Sequence, residues 1–407
     1  MDMVIEDYQM RLNQVVKFLL EKGGSDIHIL PEGTVKIRVH GLLEDTGVLL
    51  RGADALLLFY ERFLSEGRKR KAEKDLSERG DADFAVTVGS KRFRVNVARV
   101  YSPSDDGAYY VVMREINETP PEIEKLGFPE KVYEGIVEKI IYPASSGEKV
   151  SGLFLVIGET GSGKSTSLAA IIRKILENGP VNVITLEDPI EYVHRNAKGI
   201  VNQRELATHF PSYPAGIRTA LREDPNVILL GEIRDSETLM GVLDAAEAGH
   251  VVMGTLHASD TVTAINRLTF LAPEGVREFV RYRLSQVVIG FMAQKLVRIG
   301  EGRRRLLCEA LFFNNAVKNM MIEPDADKQI ISLLDSIDYS QSFESQLFEW
   351  LKEGLIDYPK ALALAVRKDN LENMVDGAVK KGELPESVKE KRAEVDRKEK
   401  GGNEVAL

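Results

Sequence analysis

A glycine-rich segment organises this chain: Gly158-Glu159-Thr160-Gly161-Ser162-Gly163-Lys164-Ser165. It fits the phosphate-binding pattern G-x-x-x-x-G-K-[ST]. The apolar run 153–157 before it predicts a buried strand, and residues 166–178 after it predict a helix that Gly179 and Pro180 end. Because the pattern requires a strand, a loop and a helix in this order, we interpret the segment as a P-loop.

The chemistry of such a loop follows from its backbone. Glycines let the N–H groups converge on phosphate oxygens, and the N-terminus of the following helix adds partial positive charge. We therefore expect the residues from Gly158 to Thr166 to bind ATP. Lys164 would reach the β and γ phosphates, and the Ser165 hydroxyl would hold Mg²⁺.

Composition restricts the class of protein. The chain has 407 residues, 43% of them hydrophobic and 29% charged, which is typical of a soluble protein of two or three domains. No apolar run approaches 18 residues, so we expect no membrane span. The first seven residues include three acidic ones and form no apolar run of the length that a signal peptide needs, so we expect no signal peptide. The single cysteine, Cys308, suits the cytosol, and a net charge of −9 disfavours broad nucleic-acid binding.

Residues 1–116 predict a small α+β domain with an antiparallel sheet. Apolar residues at helical spacing between Leu12 and Leu20 predict the first helix, and residues 53–67 the second. The predicted strands are 27–29, 35–39, 84–88, 92–100 and 109–114. In the fourth strand, alternation sends Phe93, Val95 and Val97 to one face and Arg92, Arg94 and Asn96 to the other. The basic cluster 68–71 has acidic neighbours, so a solvated helix face is favoured over a nucleic-acid or lipid patch.

A linker or hinge is predicted at 117–122, since Pro120 and Pro121 resist both helix and sheet. Beyond it, 123–385 predict a larger α/β domain. The apolar runs 181–186, 227–230 and 251–256 suit a parallel sheet, and a helix is expected from Ser236 to Ala248. Together with the P-loop, this pattern predicts a RecA-like core. From Arg283 to the mid-380s we expect mostly helix, and we expect the charged tail 386–407 to be disordered.

Polar residues follow three of the apolar runs, at the carboxyl ends of the predicted strands. In open α/β sheets, ligands bind at these ends. Glu187, Asp188 and Glu191 follow the first run, Glu232 the second and His257 the third. Carboxylates here can hold Mg²⁺ and orient the attacking water. The alternative for Asp188 and Asp235 is helix capping, whereas for Glu232 a functional role is favoured.

His250 and His257 bracket one predicted strand. Their odd spacing of seven sends them to opposite faces, which disfavours a metal site made by both histidines.

These residues resemble the pilus-retraction (PilT-type) ATPases of the type II/type IV secretion ATPase superfamily, over nearly the whole chain. In the N-terminal domain the resemblance covers the family's N-terminal signature (24–28) and its R-F-R-x-N strand (92–96). In the ATPase domain it covers the Walker A loop (158–165), the Asp box (187–191), the Walker B end (231–235) and the His box (249–257). The weakest match is a retraction-type motif at 316–321.

The resemblance implies a P-loop ATPase of α/β class, with a RecA-like core, a PAS-like N-terminal α+β domain and C-terminal helices. It implies a cytoplasmic homo-hexamer that works on a type IV pilus or related secretion machine and is recruited to the inner membrane by a platform protein. Glu191 would be the Asp-box carboxylate, Glu232 the Walker B carboxylate, and His250 and His257 the His-box residues.

The same resemblance suggests arginine fingers that act on a neighbouring subunit's nucleotide. Arg94 and Arg114 are the first candidates and Arg99 is the next. Through the nucleotide, Mg²⁺ would be held by Ser165, Glu187, Asp188 and Glu232.

Other functions stay open. The loop 207–216 resembles that of the Dot/Icm-type and conjugative type IVB secretion ATPases. A nucleic-acid translocase would share the RecA-like core, although the acidic balance disfavours it. A nucleotide sensor that hydrolyses little is disfavoured by the carboxylates and arginines. The lack of a four-cysteine cluster disfavours the ATPases that carry a zinc module.

Overall fold

The computed structural model describes residues 2–103, 105–116, 119–146, 150–300, 303–323 and 326–384. The chain divides into two compact units. We call Met1–Pro120, Ile184–Arg195 and Val201–Arg222 the N-terminal unit, and Pro121–Val183, Asn196–Ile200 and Glu223–Leu407 the P-loop unit. Two stretches that we assigned to the ATPase domain thus belong to the N-terminal unit.

Part of the linker 117–122 and the whole tail 386–407 lie outside the described residues. The boundaries 1–116, 117–122, 123–385 and 386–407 stay predictions.

The N-terminal part of the chain forms a six-stranded antiparallel sheet in the order β3-β2-β1-β6-β5-β4, with three helices. The elements are α1 (Asp2–Lys22), β1 (Asp26–Ile29), β2 (Thr34–Val39), β3 (Leu42–Leu49), α2 (Gly52–Leu58), α3 (Glu66–Glu78), β4 (Asp81–Val88), β5 (Lys91–Ser102) and β6 (Asp105–Glu115). The predicted antiparallel α+β fold is confirmed. Strand β3 was not predicted because its side chains are mostly exposed and show no apolar alternation.

Burial follows the alternation of β5. Phe93, Val95 and Val97 are fully buried, whereas Arg94 on the opposite face is exposed. The expectation for the basic cluster 68–71 was wrong at one residue. The cluster lies on α3, but Arg68 is 1% exposed, because its guanidinium is paired with two carboxylates inside the N-terminal unit.

A seven-stranded sheet has the order β13-β12-β7-β11-β10-β8-β9. Its elements are β7 (Gly152–Ile157), α6 (Lys164–Asn178), β8 (Asn182–Glu187), β9 (Ile200–Glu205), α7 (Tyr213–Ala220), β10 (Val227–Leu230), α8 (Ser236–Glu247), β11 (Val251–Leu256), α9 (Thr261–Leu271), α10 (Arg277–Val287), β12 (Val288–Ile299) and β13 (Arg303–Phe312); α4 (Glu130–Ile136) and α5 (Tyr142–Ser145) precede it. Strands β10, β11 and β7 pair in parallel, as predicted for a RecA-like core. Strand β12, which was not predicted, pairs in parallel with the other side of β7.

The segment after Arg283 corrects one expectation. We expected mostly helix, but β12 and β13 form a long antiparallel hairpin. Val288, Phe291 and Met292 are fully buried on β12, and a short apolar run of this kind fits a buried strand as well as a buried helix. The expected helices follow: α11 (Asn315–Met320), α12 (Ala326–Leu333), α13 (Phe343–Lys352), α14 (Tyr358–Leu364) and α15 (Lys368–Lys381). Among the helices described here, none has the length and apolarity needed to cross a membrane.

Candidate functional site

The P-loop lies between β7 and α6 and depends on its glycines. Gly158, Gly161 and Gly163 have φ values of 148°, 81° and 91°, which residues with a Cβ rarely adopt. A Cβ on Gly158 would also lie 2.6 Å from the backbone oxygen of Gln294. Conformation and space both require glycine here, so the spacing of the motif follows from the geometry of the loop.

This loop fits the phosphates of a nucleotide. The 15-residue helix α6 begins at Lys164 without a side-chain cap, which leaves its positive end directed at the loop. The Ser162 hydroxyl is buried in the loop and has no hydrogen-bond partner there. The Lys164 ammonium lies across the loop and donates to the carbonyl oxygens of Gly158 (2.7 Å) and Glu159 (2.9 Å). Mg²⁺ prefers oxygen ligands, and Ser165 offers one at the first turn of α6.

Glu232 and His257 come together at the carboxyl ends of two adjacent parallel strands, β10 and β11. His257 Nε2 lies 3.4 Å from Glu232 Oε1, and Arg234 Nε donates to Glu232 Oε2 at 2.7 Å. Burial lowers the pKa of His257, and the positive charge of Lys164 lowers it further against the opposing effect of Glu232. Glu232 and His257 thus form a carboxyl–imidazole pair in the P-loop unit, and the environment of His257 favours its neutral form.

Two other predicted polar residues have structural partners. Asp235 caps α8, because its carboxylate accepts from the backbone N–H of Thr238 at 2.8 Å. His250 Nδ1 lies 2.7 Å from the backbone oxygen of Pro225, so its partner differs from that of His257. Within the described part of the chain, no three or more His, Cys, Asp or Glu side chains are arranged to hold a metal ion.

The Asp-box carboxylates lie in the N-terminal unit and each has its own environment. Burial raises the pKa of Glu187 to about 7, although hydrogen bonds from Thr185 (2.6 Å) and Gln203 (3.1 Å) oppose the rise. Asp188 does not cap a helix; its oxygens face Arg68 at 2.7 Å and Lys71 at 3.4 Å. Their assignment as Mg²⁺ ligands stays a prediction.

The candidate arginine fingers are on two neighbouring strands. Arg94 on β5 lies directly opposite Arg114 on β6. Arg94 Nη1 is 3.4 Å from Glu191 Oε1, and Arg114 Nε is 2.7 Å from Asp26 Oδ1. Arg99 is exposed five positions after Arg94, an odd offset that sends it to the other face of a regular strand. The structure therefore brings Arg94, Arg114 and Glu191 together and separates Arg99 from them.

Two buried polar residues, Glu205 and Gln294, were not predicted from the sequence. Glu205 is 4% exposed and is paired with Arg68 and Arg92, and no local pattern indicated that pairing. Gln294 is 1% exposed and contacts the P-loop. A signal for Gln294 existed, since it directly follows an apolar run, but that run was not predicted as a strand.

The chain is similar to known proteins over most of its length. A family model described as Type II/IV secretion system protein matches residues 5–332. A twitching motility protein of Neisseria gonorrhoeae is 36% identical, over 79% of this chain and 82% of its own length. The type IV pilus retraction ATPase PilT of Pseudomonas aeruginosa is 32% identical, over 85% and 94%.

Two solved structures are similar as well. The pilus retraction motor PilT with bound ADP has a TM-score of 0.74 and 35% identity, covering 89% of this chain and 98% of its own. The ATPase DotB of Legionella pneumophila has a TM-score of 0.76 and 26% identity, covering 88% and 95%. With a family model that matches most of its length and relatives above 30% identity, the chain belongs to the Type II/IV secretion system protein family.

Proposed function

We propose that this protein is an ATPase that hydrolyses Mg·ATP and drives retraction of a type IV pilus. The observation that carries the proposal is the pair of Glu232 and His257 beside the cation of Lys164, in a chain similar to a pilus retraction motor. The P-loop unit thus combines a phosphate-binding loop with a carboxylate, Glu232, that is able to orient water.

Each residue has a role in this reaction. The P-loop N–H groups and Lys164 would bind the β and γ phosphates, and Ser165 and Glu232 would hold Mg²⁺. Glu187 and Asp188 are the other Mg²⁺ ligands that the sequence predicts. Mg²⁺ supplies charge neutralisation on the transferring phosphate. Glu232 orients the water for in-line attack. His257, being neutral, can accept or donate a hydrogen bond next to Glu232 without adding charge.

We further propose a homo-hexamer in which Arg94 and Arg114 act on the nucleotide of a neighbouring subunit. Arginine fingers of this kind raise rates by about 10³ to 10⁵. Both arginines are substantially exposed, 45% for Arg94 and 71% for Arg114, which supports a role toward a partner. The proposed place of work is the cytoplasmic side of the inner membrane, with recruitment by a platform protein.

Turnover of ATP by a Glu232→Gln variant tests the catalytic assignment. The exchange keeps the shape and removes the base, so we expect kcat to fall by about 10² or more. Glu274→Gln, at an exposed position of the P-loop unit, is the matched control and should retain wild-type turnover. Unchanged turnover in Glu232→Gln would remove Glu232 from the mechanism.

The dependence of specific activity on protein concentration tests the neighbouring-subunit arginines. If sites are completed by a second subunit, specific activity rises with concentration and single-stranded DNA has no effect. Activity that is flat in concentration and stimulated by DNA would instead support a nucleic-acid translocase.

A second candidate is a type IVB secretion ATPase. The loop 207–216 and the similarity to the ATPase DotB favour it. The chemistry is the same and the cargo differs. Deletion of the gene separates the two, since loss of twitching motility supports retraction and loss of protein export supports secretion.

A further inference from the structure

Gln294 lies directly beside the P-loop. In the sheet, Ala293 of β12 is the partner of Ile157, the last residue of β7. Gln294 therefore lies next to Gly158, the first glycine of the loop. It is 1% exposed, and its backbone oxygen would be 2.6 Å from a Cβ on Gly158. A polar side chain buried at this position needs partners, and the loop provides them.

Both ends of the Gln294 amide are bonded. Nε2 donates to the backbone oxygen of Ser162 at 2.8 Å, and Oε1 accepts from the Ser167 hydroxyl at 2.9 Å. The bond to Ser167 orients the amide so that its NH₂ faces the loop. Nε2 would also lie 3.1 Å from a Cβ on Gly163. Gln294 thus connects the last turn of the P-loop with the first turn of α6.

The bond to Ser162 has a consequence for phosphate binding. The peptide that carries the Ser162 carbonyl also carries the Gly163 N–H, and in a planar trans peptide these two groups point in opposite directions. When the carbonyl is held against Gln294, the Gly163 N–H is turned away from β12. N–H groups of P-loops must converge on phosphate oxygens, so the orientation of this peptide affects affinity.

We propose, on the basis of the ATPase function proposed above, that Gln294 is a positioning residue for the phosphate loop. It acts through the Ser162–Gly163 peptide and does not touch the reacting atoms. The role predicts a change in the KM for ATP, because an aligned N–H is lost. It predicts little change in kcat, because Glu232 and His257 are untouched.

The test compares wild type with Gln294→Met, which keeps an unbranched side chain of similar length and removes both bonds. We expect KM for Mg·ATP and Kd for Mg·ADP to rise about tenfold, the equivalent of one hydrogen bond, with kcat within about twofold. Ser167→Ala removes only the bond that orients the amide, so we expect a smaller rise of about threefold. Gln286→Leu, at an exposed position of the same unit, is the control and should change neither constant.

Four outcomes are possible. A rise in KM and Kd in the order Gln294→Met, then Ser167→Ala, supports the positioning role. A fall in the apparent kcat at constant KM would mean that the variant merely has a smaller fraction of folded enzyme, and this result would refute the role. Unchanged constants refute it as well, while wild-type turnover leaves the ATPase function standing. If wild type neither binds Mg·ADP nor hydrolyses ATP, the proposed function fails and the role of Gln294 fails with it.

Discussion

Replacing Arg68 by Met should destabilise the N-terminal unit strongly. Arg68 is 1% exposed, and its guanidinium lies 2.7 Å from Asp188 and 3.0 Å from Glu205. Methionine keeps much of the length and loses the charge. Asp188 and Glu205, which water solvates poorly, would then lose one of the cations that neutralise their charge.

The size of the stability loss depends on which other partners Asp188 and Glu205 keep. Breaking a buried ion pair by removing one partner costs about 3 to 5 kcal/mol. Asp188 keeps Lys71 at 3.4 Å, and Glu205 keeps Arg92 and the backbone N–H of Ile190. These remaining partners reduce the penalty, so we expect the lower end of that range, about 3 kcal/mol.

Urea unfolding followed by far-UV circular dichroism measures this loss. For an m value of about 2 kcal/mol/M, a loss of about 3 kcal/mol should lower the urea midpoint for unfolding of the N-terminal unit by about 1.5 M. Arg70→Met is the matched control on the same helix, because Arg70 is exposed, and its effect should stay within about 0.5 kcal/mol.

A loss below about 1 kcal/mol in Arg68→Met would refute the claim that this pairing stabilises the unit. The double variant Arg68→Met/Glu205→Gln gives an independent check. It should lose less than the sum of the two single variants, since the groups share one network. Strict additivity would mean that the two side chains do not interact in solution.

Two further predictions concern a buried histidine and a loop glycine. Burial lowers the pKa of His194 to about 4, whereas the unfolded value is 6.5, so its contribution to stability is complete above pH 6.5 and is lost as pH falls toward 4. The full loss is about 3 kcal/mol at 1.36 kcal/mol per pKa unit. In His194→Gln the free energy of unfolding should therefore depend less on pH between 4 and 7 than in wild type, whereas the exposed control His40→Asn should keep the wild-type dependence. The same pH dependence in all three proteins would contradict the assignment. Gly158→Ala places a Cβ 2.6 Å from the oxygen of Gln294 at a φ of 148°, so we expect Mg·ADP binding, measured by calorimetry, to weaken by about tenfold or more. Gly275→Ala, which meets nothing within 4 Å, should bind as wild type does, and wild-type affinity in Gly158→Ala would show that the loop tolerates the side chain.

Much of the core was predictable because its signals are local. The P-loop, the strands β7, β10 and β11 and the helix α6 each follow from residues that are close in sequence. The same holds for Glu232 and His257, since a polar residue at the end of a buried parallel strand must lie at the ligand-binding edge of the sheet. The Asp235 cap was also among the alternatives that the sequence raised.

The β12–β13 hairpin was not predictable in this way. Its apolar run fits a buried helix or a buried strand equally well, and pairing with β7 selects the strand. With the hairpin missed, Gln294 was missed too. Its position beside Gly158 depends on which strand is adjacent to β7, and that is a property of the whole sheet.

Long-range pairing is what the amino-acid order alone left undetermined. Motif and periodicity were enough for a P-loop, a RecA-like core and an antiparallel N-terminal sheet, because each depends on hydrogen bonds and burial within short segments. Arg68 and Asp188 are 120 residues apart, and from the sequence Arg68 belonged to a solvated basic cluster. Folding places it among carboxylates out of contact with water, where an unpaired charge would be costly, so its role follows from its three-dimensional neighbours.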